Sequence, residues 1–445
     1  MAVRIAMIGG GYVGLVSAAC FAEFGLHVNI VETNTNRLNT LKQGQIPIYE
    51  PGLDDLVQNH LKTKRLQFFD KIEEAINECE AIFIAVGTPP RNGDGHADLT
   101  YVHKAASQIA KHLKQYAVIV TKSTVPIGTS RRIAQILREE NPDLDFSVAS
   151  NPEFLREGEA LKDCMKPDRV IIGIEKDKYN QDQRAQEVLS RLYQPLFQQK
   201  TPILFMDLES AELAKYASNC FLAMKLSYVN ELADLCELTG GNIEDVTKAV
   251  GLDHRIGKHF LQPGPGFGGS CFPKDTLALI RIAQETGAST RMVEATAQAN
   301  DARKANMSGR IINFCGGSVY NKTIAILGLT FKPNTDDMRQ SASLPIIHRL
   351  IEGGALIKAF DPVANEKAKE LLPKEVRYCK DIQSTTSEAD ALVILTEWNE
   401  FRSLSPANLK IWMKRPIVID FRNMYDPKAM FNQGIQYYSI GRPQF

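Results

Sequence analysis

The run Gly9-x-Gly11-x-x-Gly14 constrains this chain more than any other feature. It follows a short β-prone stretch, Val3 to Ile8, and opens a helix-compatible stretch, Leu15 to Phe24, closed by Gly25. Strand, glycine turn and helix in that order form the dinucleotide-binding fingerprint. The first glycine permits the turn, the second lets backbone approach a pyrophosphate, and the third lets helix and strand pack closely. The anion then meets unpaired N–H groups at the helix start. Glu32 ends the next strand, His27 to Val31, where a carboxylate can accept hydrogen bonds from ribose hydroxyls. Thr33 and Asn34 follow it, and Arg37 is the nearest arginine that could receive a 2′-phosphate, so the pattern favours NAD over NADP.

Further strands are expected at Ala81 to Val86, Ala117 to Thr121 and Phe146 to Ala149, with helical periods between them. That alternation implies a parallel, doubly wound sheet. From Glu209 to about Thr239 apolar residues recur without Gly or Pro, which predicts one helix of about 46 Å at 1.5 Å per residue. It reads as a domain connector and dimer contact. After a turn at Asn313 to Tyr320, strands are expected at Thr323 to Leu329, Ala355 to Phe360, Ala389 to Leu395 and Pro416 to Phe421. The fold class is α/β: two Rossmann-like doubly wound domains joined by a long central helix. The expected boundaries are 1–205 for the cofactor domain, 206–300 for the connector with its cysteine loop, and 301–445 for the second sheet. The second half opens on Gly328-Leu329-Thr330-Phe331-Lys332, with a single glycine, so its ligand should differ; Lys332 and Arg339 offer charge for a diphosphate.

At 445 residues the chain has room for such a plan. Lys plus Arg and Asp plus Glu both number 52, so no net field draws it to nucleic acid or a membrane, and any anion site must be local. The eight cysteines are dispersed, without metal-ligand spacing, so no metal is expected. No signal peptide or membrane span is recognisable, which points to a soluble, cytoplasmic protein with reduced thiols.

The segment Pro263 to Asp275 is rich in glycine and proline and contains Cys271. Such backbone is shaped for close approach to a ligand. A thiol with Lys274 and Asp275 nearby can be activated as a nucleophile toward a carbonyl, whereas the other seven cysteines read as inert core. Lys215 and Asn219, four residues apart on the long helix, share a face and can hold a developing oxyanion, or simply form a polar stripe. Glu153 and Glu157 in Asn151-Pro152-Glu153-Phe154-Leu155-Arg156-Glu157-Gly158 follow a strand, at the carboxyl edge where open α/β sheets bind ligands, and Thr124 occupies a similar strand end.

Seven ordered motifs resemble the UDP-glucose/GDP-mannose dehydrogenase family: Gly9 to Leu15, Gly87 to Pro89, Lys122 to Pro126, Asn151 to Gly158, Ala211 to Asn219, Gly266 to Asp275 and Gly328 to Arg339. The resemblance implies an NAD-dependent, four-electron oxidation of a nucleotide-sugar alcohol to a carboxylate. Cys271 matches the nucleophile, Lys215 and Asn219 the oxyanion pair, Asp275 the acid/base carboxylate, Thr124 the holder of a catalytic water, and Glu153 the base for thioester hydrolysis. It further implies cofactor contacts from Gly9, Gly11, Tyr12, Val13, Gly14, Glu32, Arg37, Thr88, Pro89, Thr124, Glu157, Lys274 and Arg339, the last revising the diphosphate assignment. Substrate contacts are implied for Glu153, Phe154, Leu155, Glu157, Lys215, Asn219, Phe267, Gly268, Phe331, Lys332 and Arg422, with Arg255 lent across a homodimer. UDP-glucose is the expected substrate, because phenylalanine follows the cysteine. The alternatives are GDP-mannose with the same chemistry, and an NAD-binding redox sensor without turnover.

Overall fold

The computed structural model describes residues 3–91, 95–176 and 181–444. The chain forms two compact units, Met1–Ser218 with Gln284–Thr286, and Asn219–Ala283 with Gly287–Phe445.

Among the described residues the first unit is built on eight strands: β1 Arg4–Ile8, β2 His27–Val31, β3 Leu66–Phe69, β4 Ala81–Ile84, β5 Ala117–Thr121, β6 Phe146–Ser150, β7 Val170–Ile174 and β8 Ile203–Asp207. Their order is β3-β2-β1-β4-β5-β6-β7-β8, parallel throughout except that β7 runs antiparallel to β6. Alternate residues of β1 feed two different cores: Ile5 and Met7 pack on one face, Ala6 and Ile8 on the other. Covering on both faces is what βαβ crossovers impose, and it explains why these strands read as apolar runs.

The second unit carries six strands: β9 Thr323–Leu327, β10 Leu356–Phe360, β11 Arg377–Tyr378, β12 Ala391–Ile394, β13 Ile417–Asp420 and β14 Gln436–Ser439. Their order, β11-β10-β9-β12-β13-β14, repeats the first six places of the other sheet, and every pairing is parallel. Ile324 and Ile326 face one core, Ala325 and Leu327 the other. In both sheets the order reverses beside the first strand, which opens a crevice at the carboxyl ends.

The expected strands are present: β2 and β5 have the expected bounds, β6 runs one residue longer, and the others are slightly shorter. The structure adds β3, β7, β8, β11 and β14, which lie at or toward the sheet edges; β11 has only two residues, while β7 and β8 are as long as β1. The long helix spans Leu208–Thr239, 32 residues, and the boundary between the units falls within it. It buries Ala211, Tyr216, Ala223, Val229 and Ala233, while Phe221, Tyr228 and Leu235 are exposed at seven-residue spacing.

The two first turns solve one problem differently. After β1, Gly9 lies at φ +112, and a Cβ there would sit 2.6 Å from the Ala85 carbonyl oxygen; one on Gly14 would sit 2.0 Å from the Gly9 oxygen. Only glycine fits either place. A Cβ on Gly11 would meet open space. After β9, the turn is closed from within: Asp361 Oδ2 accepts the Leu329 N–H at 2.8 Å and the Thr330 N–H at 3.2 Å. Its Oδ1 caps Val363 and Ala364. Asp361 directly follows β10 as Glu32 directly follows β2.

Candidate active site

In the first unit the helix Tyr12–Glu23 begins without an acid in its first turn and without a side-chain cap, so its leading N–H groups are available to an anion. Tyr12 bonds through its hydroxyl to Glu50, and Glu50 also accepts the N–H groups of Gly158 at 2.6 Å and Ala160 at 2.7 Å. Burial, reinforced by the Glu50 carboxylate, pushes the Tyr12 phenol well above its ordinary range, so it stays protonated as a donor. Glu50 therefore ties the glycine turn to the Asn151–Gly158 segment, a link no motif reveals. Buried Glu32 accepts from Asn34 N–H at 2.8 Å and pairs with Arg37 at 3.2 Å. The Arg37 guanidinium is thus engaged by Glu32. The open Gly11, the uncapped helix and the buried acid fit a dinucleotide.

The neighbouring strand ends are cross-tied. Thr88 Oγ1, two residues before the Pro90 bridge to Ala97, donates to the Thr124 carbonyl at 2.9 Å, and Ser123 donates to Val86 O at 2.7 Å. At the end of β6, Asn151 accepts from Lys122 at 3.0 Å and from the Tyr193 hydroxyl at 2.5 Å. Two residues on, Glu153 Oε1 pairs with Lys215 Nζ at 3.0 Å, Oε2 accepts the Leu155 N–H at 2.6 Å, and Lys215 also reaches the Glu153 carbonyl at 2.5 Å. Burial would raise the Glu153 carboxyl, but Lys215, the Leu155 N–H and Lys122 outweigh it and hold the group below its ordinary value. Phe154 presents its ring to Arg169 at 3.7 Å and Lys215 at 5.2 Å. Glu157 is half-buried beside this segment.

In the second unit, Cys271 immediately precedes the helix Phe272–Thr286, and its carbonyl accepts the Asp275 N–H at 2.8 Å. It is half-buried, with Ser270 Oγ 3.5 Å from its sulfur. One turn on, the carboxylate of Asp275, 1% exposed, is held on both oxygens: Asn219 donates at 2.6 Å and Lys274 at 2.7 Å. Proline–glycine backbone upstream packs too closely for side chains: a Cβ on Gly268 would lie 2.5 Å from Gln340 O, and one on Gly269 2.8 Å from the Phe331 ring.

This loop borders a cavity of about 310 Å³ lined by Phe260, Phe267, Phe272, Phe331, Lys332 and Arg422 among others. Apolar walls with two cations suit a flat base bearing phosphates. Arg422 is held by the carbonyls of Leu395 at 2.7 Å and Phe331 at 3.0 Å, and by Glu397 at 3.0 Å. Arg339 forks onto Asp337, and Arg255 pairs with Asp253 at an exposed turn. Sequence reasoning missed Glu50, Asn230, Phe260 and Glu397, none of which has a local signature beyond its residue type; Phe272, read from sequence only as a marker of substrate, lines the cavity.

A glycine-turn sheet with a buried acid after its second strand, and a cysteine loop beside a cavity walled by aromatic rings and two cations, define an NAD-dependent oxidoreductase that acts on a nucleotide-bearing substrate. Three stretches match the UDP-glucose/GDP-mannose dehydrogenase family: residues 3–197 its NAD binding domain, 209–302 its central domain and 325–427 its UDP binding domain. The chain is 49% identical to the UDP-glucose 6-dehydrogenase of Rhizobium meliloti over 440 residues, covering 99% of this chain and 100% of that protein. It is 44% identical to UDP-glucose 6-dehydrogenase TuaD of Bacillus subtilis, covering 99% and 93%. A solved UDP-glucose dehydrogenase from Pyrobaculum islandicum superposes with a TM-score of 0.90 at 38% identity, covering 100% of this chain and 98% of that one. The chain belongs to the UDP-glucose/GDP-mannose dehydrogenase family.

Proposed function

We propose that this protein oxidises UDP-glucose to UDP-glucuronate with two NAD and one water, through a covalent bond to Cys271. The observation that carries the reading is Cys271 at its helix start, one turn from an Asp275 gripped by Asn219 and Lys274. The names of the relatives support the substrate. Gly9, Gly11, Tyr12, Val13, Gly14, Glu32 and Thr88 would hold NAD, which when bound supplies the acceptor for each of the two hydrides.

Lys215 and Asn219 stabilise charge on the sugar O6. At the aldehyde stage Cys271 Sγ bonds to C6, giving a thiohemiacetal that cannot escape; its oxidation leaves a thioester. Thr124 positions water and Glu153, ionised at neutral pH, accepts its proton as the C–S bond breaks, returning the thiolate to Cys271 and releasing the carboxylate. The O6 proton released in each oxidation passes through water to Asp275 and on to solvent, as does the proton of the product acid. Phe331, Lys332 and Arg422 hold the nucleotide.

The domain assignment follows: NAD on 1–205, a connector over 206–300, the UDP-sugar on 301–445. The exposed stripe Phe221, Tyr228 and Leu235 supports a homodimer through the long helix, across which Arg255 reaches the substrate. Among the described residues no helix is long and apolar enough to cross a membrane, and the cytoplasm is the proposed compartment.

The test is NADH released per nucleotide sugar consumed, with UDP-glucose and GDP-mannose offered separately. About two NADH per UDP-glucose is expected from a two-hydride reaction. A ratio near one would remove the thioester, turnover of GDP-mannose alone would overturn the substrate, and NAD binding without turnover of either would leave a sensor.

A further inference from the structure

Two buried side chains of the helix Arg291–Phe314 hold the backbone of the loop that ends in Cys271. Asn300, 3% exposed, clasps one residue from both sides: Oδ1 accepts the Phe267 N–H at 2.7 Å and Nδ2 donates to the Phe267 carbonyl at 3.1 Å. Three residues on, Arg303 donates from Nε to the Gly264 carbonyl at 2.6 Å and from Nη1 to the Asn230 carbonyl at 3.2 Å. Asn230 in turn accepts the Gly264 N–H at 2.8 Å, so this glycine too is held at both ends. The Arg303 guanidinium is anchored to Asp234 at 2.9 Å, and Asp234 is shared with Arg310 at 3.2 Å.

Gly264, Gly266, Phe267 and Gly268 all line the cavity. Between the two grips, Gly266 lies at φ +115 with room for no Cβ: one would stand 2.7 Å from Lys304 Cγ. Glycine-rich backbone has the most conformations to lose on ordering, and a loop made of it stays in one shape only when held from outside. Two of the groups doing the holding sit at i and i+3 on one helix face, and neither belongs to a recognisable motif.

We propose that Asn300 and Arg303 are positioning residues for the nucleotide-sugar reaction: they preform the Gly264–Phe267 wall of the cavity, so that the substrate does not have to order it on binding. This rests on the reading of the cavity as the nucleotide-sugar site. Arg303 acts on the Gly264 end, Asn300 on the Phe267 end nearer Cys271. The ordering cost is otherwise charged against substrate affinity.

The test compares purified full-length wild type with Arg303→Lys, Asn300→Ala and Asn300→Asp. Lysine keeps the charge facing Asp234 but cannot reach Asp234, Asn230 and Gly264 from one planar group. Arg303→Lys should raise the KM for UDP-glucose about tenfold with kcat within about threefold and the KM for NAD unchanged, the size expected for one lost charged hydrogen bond. Asn300→Ala should raise the KM likewise and also lower kcat, and Asn300→Asp, which keeps the acceptor for the Phe267 N–H, should recover part of both. Binding of UDP alone, followed by calorimetry, should weaken in parallel. The proposal is overturned if the UDP-glucose KM stays at its wild-type value in well-folded Arg303→Lys, or if the KM for NAD rises equally, or if Asn300→Asp is no better than Asn300→Ala. Failure of wild type itself to turn over UDP-glucose or bind UDP would instead refute the reading of the cavity.

Discussion

Replacing Lys215 with Met removes the ammonium that faces Glu153 and keeps the length and helix preference of the side chain. Both partners are almost wholly buried, with side chains 4% and 7% exposed. Removing one member of such a pair strands the other as an uncompensated charge, at about 3–5 kcal/mol. For a unit of this size that corresponds to a fall in Tm on the order of 10 °C near neutral pH. The pH dependence separates this cause from simple loss of packing. In the wild type the Glu153 carboxyl lies below its unfolded value of about 4.3, so it contributes stability above that pH and loses it as acid protonates the folded state. In Lys215→Met, burial becomes the dominant influence and the folded carboxyl moves above its unfolded value. The ionised form then opposes folding at neutral pH, and the penalty shrinks by up to about 1.4 kcal/mol for each pH unit of acidification between the two values. Thermal melts between about pH 5 and pH 8 should therefore show the variant converging on wild type as the pH falls. Lys215→Met/Glu153→Gln should melt higher than Lys215→Met at neutral pH and lack the acid recovery. A Tm deficit independent of pH, or one unchanged in the double variant, would refute the claim that the pair is held by charge.

Two further outcomes follow from close contacts. Gly14→Ala would place a methyl 2.0 Å from the Gly9 oxygen, so the turn must open; NAD affinity should fall about a hundredfold or more while UDP binding holds, as read by titration calorimetry. Asn219→Ala strips one partner from buried Asp275 and one donor from the proposed oxyanion site, so kcat should fall by about 10²–10³ with the KM for NAD little changed; Asn219→Asp, which sets two carboxylates side by side, should be no better.

The legible parts of this molecule were the local ones. A strand, a glycine turn and a helix occupy the consecutive residues Arg4 to Glu23, and their steric demands are written in residue types: Gly9 and Gly14 have no substitute. Lys215 and Asn219 could be placed on one face because helical spacing is regular. The edge strand β11 escaped because two residues give periodicity nothing to repeat. Long-range polar partners escaped for another reason. Glu50 meets Tyr12 across 38 positions and Asn300 meets Phe267 across 33, and neither pairing leaves a trace in either local segment. Glu153 shows both sides: its position at a strand end was readable, but its partnership with Lys215, 62 residues away, depends on how the helix packs.

Asp361 has a consequence for stoichiometry. A chain with two sheets of the same strand order invites the expectation of two equivalent dinucleotide sites. In the second sheet that carboxylate takes the backbone N–H groups of Leu329 and Thr330, which a phosphate would otherwise claim, and the Trp398 indole closes over it at 3.3 Å. There a tethered side chain of the protein itself occupies the place of a bound ligand. The duplicated architecture is therefore expected to bind one dinucleotide per chain, with its second half left to recognise a ligand by side-chain charge instead of by a glycine cradle.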